Sequence, residues 1–165
     1  MIRISRLTDY ATVILASLAE RPDRVQTATA LAEQTHIAAP TVSKLLKQLQ
    51  RAGLVISTRG LHGGYQLARP ATQISAAAIL DALEGPVALT DCAVGHGNCE
   101  IEGSCRVGRV WQRLNLAIRR SLYEVSLAQL AGIDATQTHL PSLEHEMKAA
   151  VRIDDAALGR RRIRS

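Results

Sequence analysis

Three cysteines lie within fourteen residues of one polar segment, and they are the only cysteines in the chain. Cys92, Cys99 and Cys105 follow the spacing C-x6-C-x5-C among glycines and carboxylates. Structural zinc sites prefer C-x2-C pairs, so this spacing fits zinc poorly. Thiolates bind iron–sulfur clusters, and a cluster tolerates wider ligand spacing because it is larger than one ion. The spacing therefore indicates an iron–sulfur cluster, with three free thiols or a redox-sensing thiol site as alternatives.

The composition limits the kind of protein that carries this segment. Hydrophobic residues make up 47% of 165 residues, but Phe is absent, so small aliphatic side chains must fill the core. This favours small helical modules. The formal net charge of +5 indicates a polyanionic partner. No apolar run reaches the roughly 18 residues of a membrane span, and no signal-peptide pattern is found, so we expect a cytoplasmic protein without a membrane partner.

A helix-turn-helix unit is predicted over residues 27–53. Thr27 can cap the first helix, residues 36–38 form the turn, Pro40 suits the first turn of the second helix, and Gly53 can end it. Apolar residues recur on one side of the second helix at helical spacing. Its other side carries the polar and basic candidates for DNA contact, namely Thr41, Ser43, Lys44, Lys47 and Arg51. A merely solvated helix face is the alternative.

A β-hairpin is predicted directly after this helix, over residues 54–68. Two short β-prone runs flank the glycine-rich, cationic sequence "RGLHGG". Arg59 and His62 at its tip are candidates for contact with phosphates or the minor groove. A helix-turn-helix followed by such a wing predicts DNA binding rather than enzymatic activity.

The segments together predict a mainly α fold with a small β-hairpin wing. A winged helix-turn-helix DNA-binding domain spans residues 1–84, a cysteine-rich cluster-binding loop 85–106, a long dimerisation helix 107–131, and a partly disordered tail 132–165. The long helix carries an apolar stripe at Val107, Val110, Trp111, Leu114, Ala117, Ile118 and Val125. Pairing of this stripe with a second copy predicts a homodimer, and folding back on its own domain is the alternative.

Several motifs resemble those of the Rrf-type winged-helix regulators, the family that contains IscR and NsrR. They are "RLTDYA", "GLVISTRGLHGGYQLA", "LEGP" and the three cysteines followed by Trp111. The resemblance covers about residues 1–131, and the opening "MIRISRLTDYATVILASLA" is most similar to regulators of SUF iron–sulfur assembly operons. It implies a homodimer that binds palindromic double-stranded operator DNA, holds a cluster through the three cysteines and represses cluster-assembly genes.

The resemblance leaves the fourth cluster ligand and the cluster type open. IscR-like members place a histidine three residues after the last cysteine, where this chain has Gly108. NsrR-like members use an aspartate from the partner's first helix, and "LTDYA" supplies Asp9 at that place. We therefore prefer Asp9, ahead of His96 and then Glu100 and Asp91. Similarity to IscR implies a 2Fe-2S cluster, whereas the aspartate pattern implies a 4Fe-4S cluster.

Two functional alternatives use the same residues. Nitric oxide sensing is the runner-up signal, because both kinds of sensor share this scaffold. A small thiol oxidoreductase or electron carrier is a different class. The missing C-x-x-C pair and the complete wing argue against that class.

Overall fold

The computed structural model describes residues 4–60, 62–90 and 107–134. Predictions for the cysteines and for the tail from residue 135 onward concern residues outside these ranges. The described elements are α1 (Arg6–Ala19), α2 (Ala28–Thr35), α3 (Ala39–Arg51), β1 (Val55–Thr58), β2 (Gly64–Leu67), a short 3-10 helix (Ala71–Gln73), α4 (Ala76–Leu83), α5 (Gly108–Glu124) and α6 (Leu127–Leu130). The predicted fold class, mainly helical with one hairpin, is confirmed.

Side-chain caps start several of these helices, including the cap predicted at Thr27. Ser5, Thr27 and Ser75 each accept a hydrogen bond from the backbone N–H three residues later. Each cap satisfies one of the N–H groups that the first turn leaves unpaired. His36 ends α2 in the left-handed conformation, with φ of 56°, and the chain turns there into α3. Gly53, with φ of 70°, follows the end of α3.

One apolar core holds the helices and the hairpin together. Its members come from α1, α2, α3, β1, α4 and α6, and the largest include Ile14, Leu15, Leu18, Leu31, Leu45, Leu46, Leu49, Ile79 and Leu127. Full burial of one such side chain stabilises the fold by roughly 1.5–3 kcal/mol. The core therefore fixes α3 against α1 and α4 without using its polar face.

The hairpin pairs β1 with β2 antiparallel, from Val55 opposite Leu67 to Thr58 opposite Gly64. The backbone of Gln26 adds a bridge to Tyr65 on the other side of β2, with N···O distances of 2.9 and 2.7 Å. A Cβ atom on Gly64 would lie 2.5 Å from the Gln26 carbonyl oxygen. A glycine is required there because the two backbones approach so closely.

The segment 107–131, predicted as one helix, is divided in the structure. The helix α5 ends at Glu124, Val125 is extended, and Ser126 starts α6 with a capping box to Gln129. Residues 125–127 pair with 74–76 through hydrogen bonds of 2.8 and 2.7 Å. Leu127 is fully buried, so α6 belongs to the core of the winged domain. No helix in the described ranges is long and apolar enough to cross a membrane.

Candidate DNA interface and cysteine segment

The helix α3 has one buried apolar face and one exposed cationic face. Its four inward residues are completely buried in the core: Val42, Leu45, Leu46 and Leu49. Lys44, Lys47 and Arg51 are exposed, and Thr41 and Ser43 are half-buried beside them. Within the described ranges, no carboxylate forms an ion pair with the three cations. Their charges are therefore available to a polyanion such as DNA.

The wing lies beside this helix and presents two further candidates. Arg59 and His62 are exposed in the connection between β1 and β2. The Gln50 side-chain amide near the end of α3 donates to the Ser57 hydroxyl of β1 at 2.9 Å. This contact fixes the hairpin relative to the helix. The structure therefore brings both groups of predicted DNA contacts onto adjacent elements.

Of the preferred cluster ligands, only Asp9 lies in the described part of the chain. It is exposed in the first turn of α1 and borders a surface recess with Ile4, Ser5 and Arg6. The cysteines and the alternative ligands Asp91, His96 and Glu100 lie outside the described residues. No group of three or more His, Cys, Asp or Glu side chains able to hold a metal occurs within the described ranges.

Both flanks of the cysteine segment, residues 91–106, are attached to α5. On one flank, the Leu89 backbone N–H donates to the Asn115 side-chain oxygen at 3.2 Å. On the other flank, Val107 leads directly into α5. The two attachment points are eight residues apart, or about 12 Å along a helix. Asn115 is 5% exposed, and sequence reasoning missed it, although a polar residue beside an apolar stripe is a usable signal.

A carboxylate joins the end of α4 to the start of α1. Glu84, from the "LEGP" motif, accepts hydrogen bonds from the Thr8 hydroxyl and from the Ser5 backbone N–H, the latter at 2.9 Å. These two contacts lower the pKa of the Glu84 carboxyl below its usual value, the Thr8 contact having the larger effect. Glu84 therefore holds the turn of α1 that carries Asp9. This role of Glu84 was not predicted from the sequence.

An exposed cationic helix inside a helix-turn-helix, followed by a wing, defines a winged-helix DNA-binding protein. A family model described as "Rrf2: Iron-dependent Transcriptional regulator" matches residues 4–132. The chain belongs to this family. It is a DNA-binding transcriptional regulator and not an enzyme.

Individual proteins support this assignment. A Haemophilus influenzae protein described as an HTH-type transcriptional regulator is 37% identical over 100 residues, which cover 61% of this chain and 66% of that protein. The chain thus spans about two thirds of that relative's length. A Mycobacterium tuberculosis protein with the same description is 33% identical over 149 residues, covering 89% of this chain and 91% of the relative.

Solved structures are similar as well. CymR, the global cysteine regulator of B. subtilis, has a TM-score of 0.65 and 26% identity, over 81% of this chain and 99% of that chain. The IscR of T. potens has a TM-score of 0.61 and 24% identity, over 87% of this chain and 96% of its own. The likeness to IscR, at this identity, shows the fold.

The exposed face of α3 gives a test of the DNA interface. Replacing Lys44, Lys47 and Arg51 together by Ala should weaken DNA binding and flatten its dependence on salt. If all three contact phosphates, the slope of log K against log salt should fall by about 2.7, at about 0.9 per contact. Fluorescence anisotropy over a salt series measures this slope. Arg120→Ala removes an exposed cation from α5 and should leave the slope unchanged; an unaltered slope in the triple variant contradicts the placement.

The Glu84 contact gives a test in pH. Because the folded pKa is lowered, the charged carboxylate stabilises the fold above the ordinary value near 4.5, and this contribution disappears as pH falls through the folded pKa. Glu84→Gln should therefore be less stable than the parent at neutral pH, with the difference shrinking in acid. Urea unfolding at a series of pH values measures this. Glu20→Gln, at an exposed carboxylate, should follow the parent; a pH-independent difference for Glu84→Gln would refute the role.

Proposed function

We propose that the chain is an iron–sulfur-sensing, homodimeric repressor of iron–sulfur cluster assembly genes. The observation that carries the proposal is the position of the cysteine segment. In the sequence, its three cysteines lie between the two points at which the chain is attached to α5. The same helix presents an apolar face to solvent. A group held by this segment would lie beside the proposed dimer contact. Binding or loss of this group would therefore change the contact between the two subunits.

The chemistry of the donor set fits an iron–sulfur cluster. Cys92, Cys99 and Cys105 would hold it as thiolates, and Asp9 of the second subunit would supply the fourth ligand. A carboxylate is a hard ligand and matches this chemistry weakly, so such a site would be labile. A bound cluster would supply redox- and oxygen-sensitive chemistry. Similarity to IscR favours a 2Fe-2S cluster, and the aspartate ligand favours a 4Fe-4S cluster.

The exposed apolar face of α5 supports the homodimer. Four large apolar side chains on one side of the helix are each more than two-fifths exposed, namely Val107, Val110, Trp111 and Leu114. Together they form an exposed apolar stripe. The side that faces the winged domain includes the buried Asn115, and Ile118 at the edge of the stripe is half-buried and lines a recess with Leu80 of α4. This arrangement supports pairing of the stripe with a second copy over folding back on its own domain. Two subunits related in this way would bind a palindromic operator.

A route for coupling follows from the described contacts. If Asp9 binds the cluster of the other subunit, cluster binding constrains the position of the first turn of α1. Glu84 connects that turn to α4, and the core connects both helices to α3. If one dimer geometry binds the cluster more tightly than another, cluster binding would favour that geometry and thereby change the affinity for the operator. The reducing cytoplasm, the predicted location, would keep the three thiols available as ligands.

The similarity to CymR favours a second candidate function. CymR is described as a global cysteine regulator, so the three thiols of this chain could serve a cluster-free regulator that responds to thiol supply. Nitric oxide sensing is the alternative signal for a cluster-bound form. Iron and sulfide analysis of protein purified without oxygen separates the cluster-free candidate from the other two. Added nitric oxide then separates those two by its effect on operator release.

The ligand set can be tested spectroscopically. Alanine at any one of the three cysteines should abolish visible absorption of anaerobically purified protein, because two thiolates rarely retain a cluster. Asp9→Ala should leave a more labile or altered cluster, and His96→Ala, the matched control, should be nearly silent. Circular dichroism of the same samples should show an intact fold. Loss of colour in His96→Ala together with a native spectrum in Asp9→Ala would overturn the assignment of Asp9.

The dimer can be tested separately from the cluster. Val110→Glu combined with Leu114→Glu should give a monomer, because a buried charge without a partner costs several kcal/mol. Affinity for a palindromic site should fall with dimerisation. Sedimentation velocity measures the first effect and anisotropy the second. Arg109→Glu lies on another side of α5 and should remain dimeric; a dimeric double variant would contradict the proposed interface.

A further inference from the structure

The helix α5 is attached to its own winged domain by few buried residues. Gly108 and Asn115 are its only buried residues, whereas α3 buries four apolar side chains. Apolar packing alone therefore specifies the angle of α5 only loosely. Directional polar contacts between α5 and the winged domain must therefore help to set the angle between them.

The strongest such contact joins α5 to α4. Arg119 donates from both terminal nitrogens to both carboxylate oxygens of Asp81, at 3.4 and 3.0 Å. The Arg119 guanidinium also donates to the Tyr123 hydroxyl at 3.1 Å and lies 5.6 Å from that ring's centroid. The paired side chains are 22% and 30% exposed, so they are partly removed from solvent. A two-point contact between planar groups restricts rotation, which a single hydrogen bond does not.

The carboxylate partner sits on an element that is rigidly joined to the recognition helix. Asp81 lies on α4, and the same helix places Ile79 in the core that contains Leu45 and Leu46 of α3. Movement of α4 relative to α3 would disrupt this core. Asp81 therefore keeps a constant position relative to the DNA-contacting face of α3.

We propose that the Asp81–Arg119 pair sets the angle between α5 and the winged domain, and thereby the distance between the two recognition helices of a dimer. Asp81 and Arg119 are positioning residues for operator recognition, and this role rests on the proposed homodimer. A 17-residue helix is about 25 Å long. A tilt of about 8° shifts its far end by roughly one base-pair step of about 3.4 Å. Half-site spacing is therefore sensitive to this contact.

The test uses the full chain and an operator selected from random DNA by the parent protein. Asp81→Ala, Arg119→Ala and the double variant are compared on operators whose half-sites are moved apart or together one base pair at a time. Arg120→Ala, which breaks the solvent-exposed Arg120–Glu124 pair of the same helix, is the matched control. Sedimentation monitors dimerisation, and an isolated half-site monitors the DNA-contacting surface.

The single variants should remain dimeric and keep their affinity for the half-site. On the selected operator they should lose about tenfold in affinity, and their spacing preference should broaden. The double variant should lose no more than either single variant, because both remove the same contact. Arg120→Ala should match the parent, and Arg119→Lys, which keeps the charge but not the fork, should show the broadened preference.

Three outcomes would overturn the role. The first is a spacing preference that does not change in the variants. The second is an equal loss of affinity for the isolated half-site. The third is a monomer in every variant, which would place the pair in the dimer contact itself. A parent protein that is monomeric or indifferent to spacing would instead overturn the proposed homodimer, and the positioning role with it. The two failures are therefore distinguishable by the behaviour of the parent.

Discussion

The helix α3, the candidate recognition helix, is held in place mainly by its apolar side. Four aliphatic residues of this helix are completely buried against α1 and α4, and this burial forces Lys44, Lys47 and Arg51 outward. The other features depend on that orientation. The wing follows α3 directly and is connected to it by the Gln50–Ser57 hydrogen bond, and α4 packs on the same core. Because the core supplies most of the stability, the polar face is free to be selected for DNA contact.

Polar contacts have a different role, since they add directional links between elements at the edge of the apolar core. Glu84 joins α4 to α1, Asn115 joins the flank of the cysteine segment to α5, and Arg119 joins α5 to α4. Each is directional, and each lies at or near the edge of the core rather than within it. Such contacts contribute less to the free energy of unfolding than the apolar core does, and they constrain the angles between elements. They are therefore the places where a ligand-dependent change could reach α3 at a small energetic cost.

Local patterns in the sequence were enough to predict the winged domain. Thr27 caps α2 as predicted, because capping depends on residues three apart, and two short β-prone runs around a glycine-rich tip predict the hairpin over residues 54–68. The long helix was extended too far, since the pairing of residues 125–127 with 74–76 joins segments about fifty residues apart. Glu84–Thr8 and Arg119–Asp81 were missed for the same reason, their separations being 76 and 38 residues. The cysteine ligands themselves stay predictions.

We propose that a cluster bound by the cysteine segment controls the affinity of the winged domain for DNA. The most direct measurement is the operator affinity of one anaerobic preparation before and after its cluster is removed by a chelator, with iron and sulfide content determined on both samples. We expect the cluster-loaded protein to bind the operator at least about tenfold more tightly than the cluster-free protein, within the usual range of coupling between sites. Equal affinity of the two forms, at measured full and zero occupancy, would contradict it.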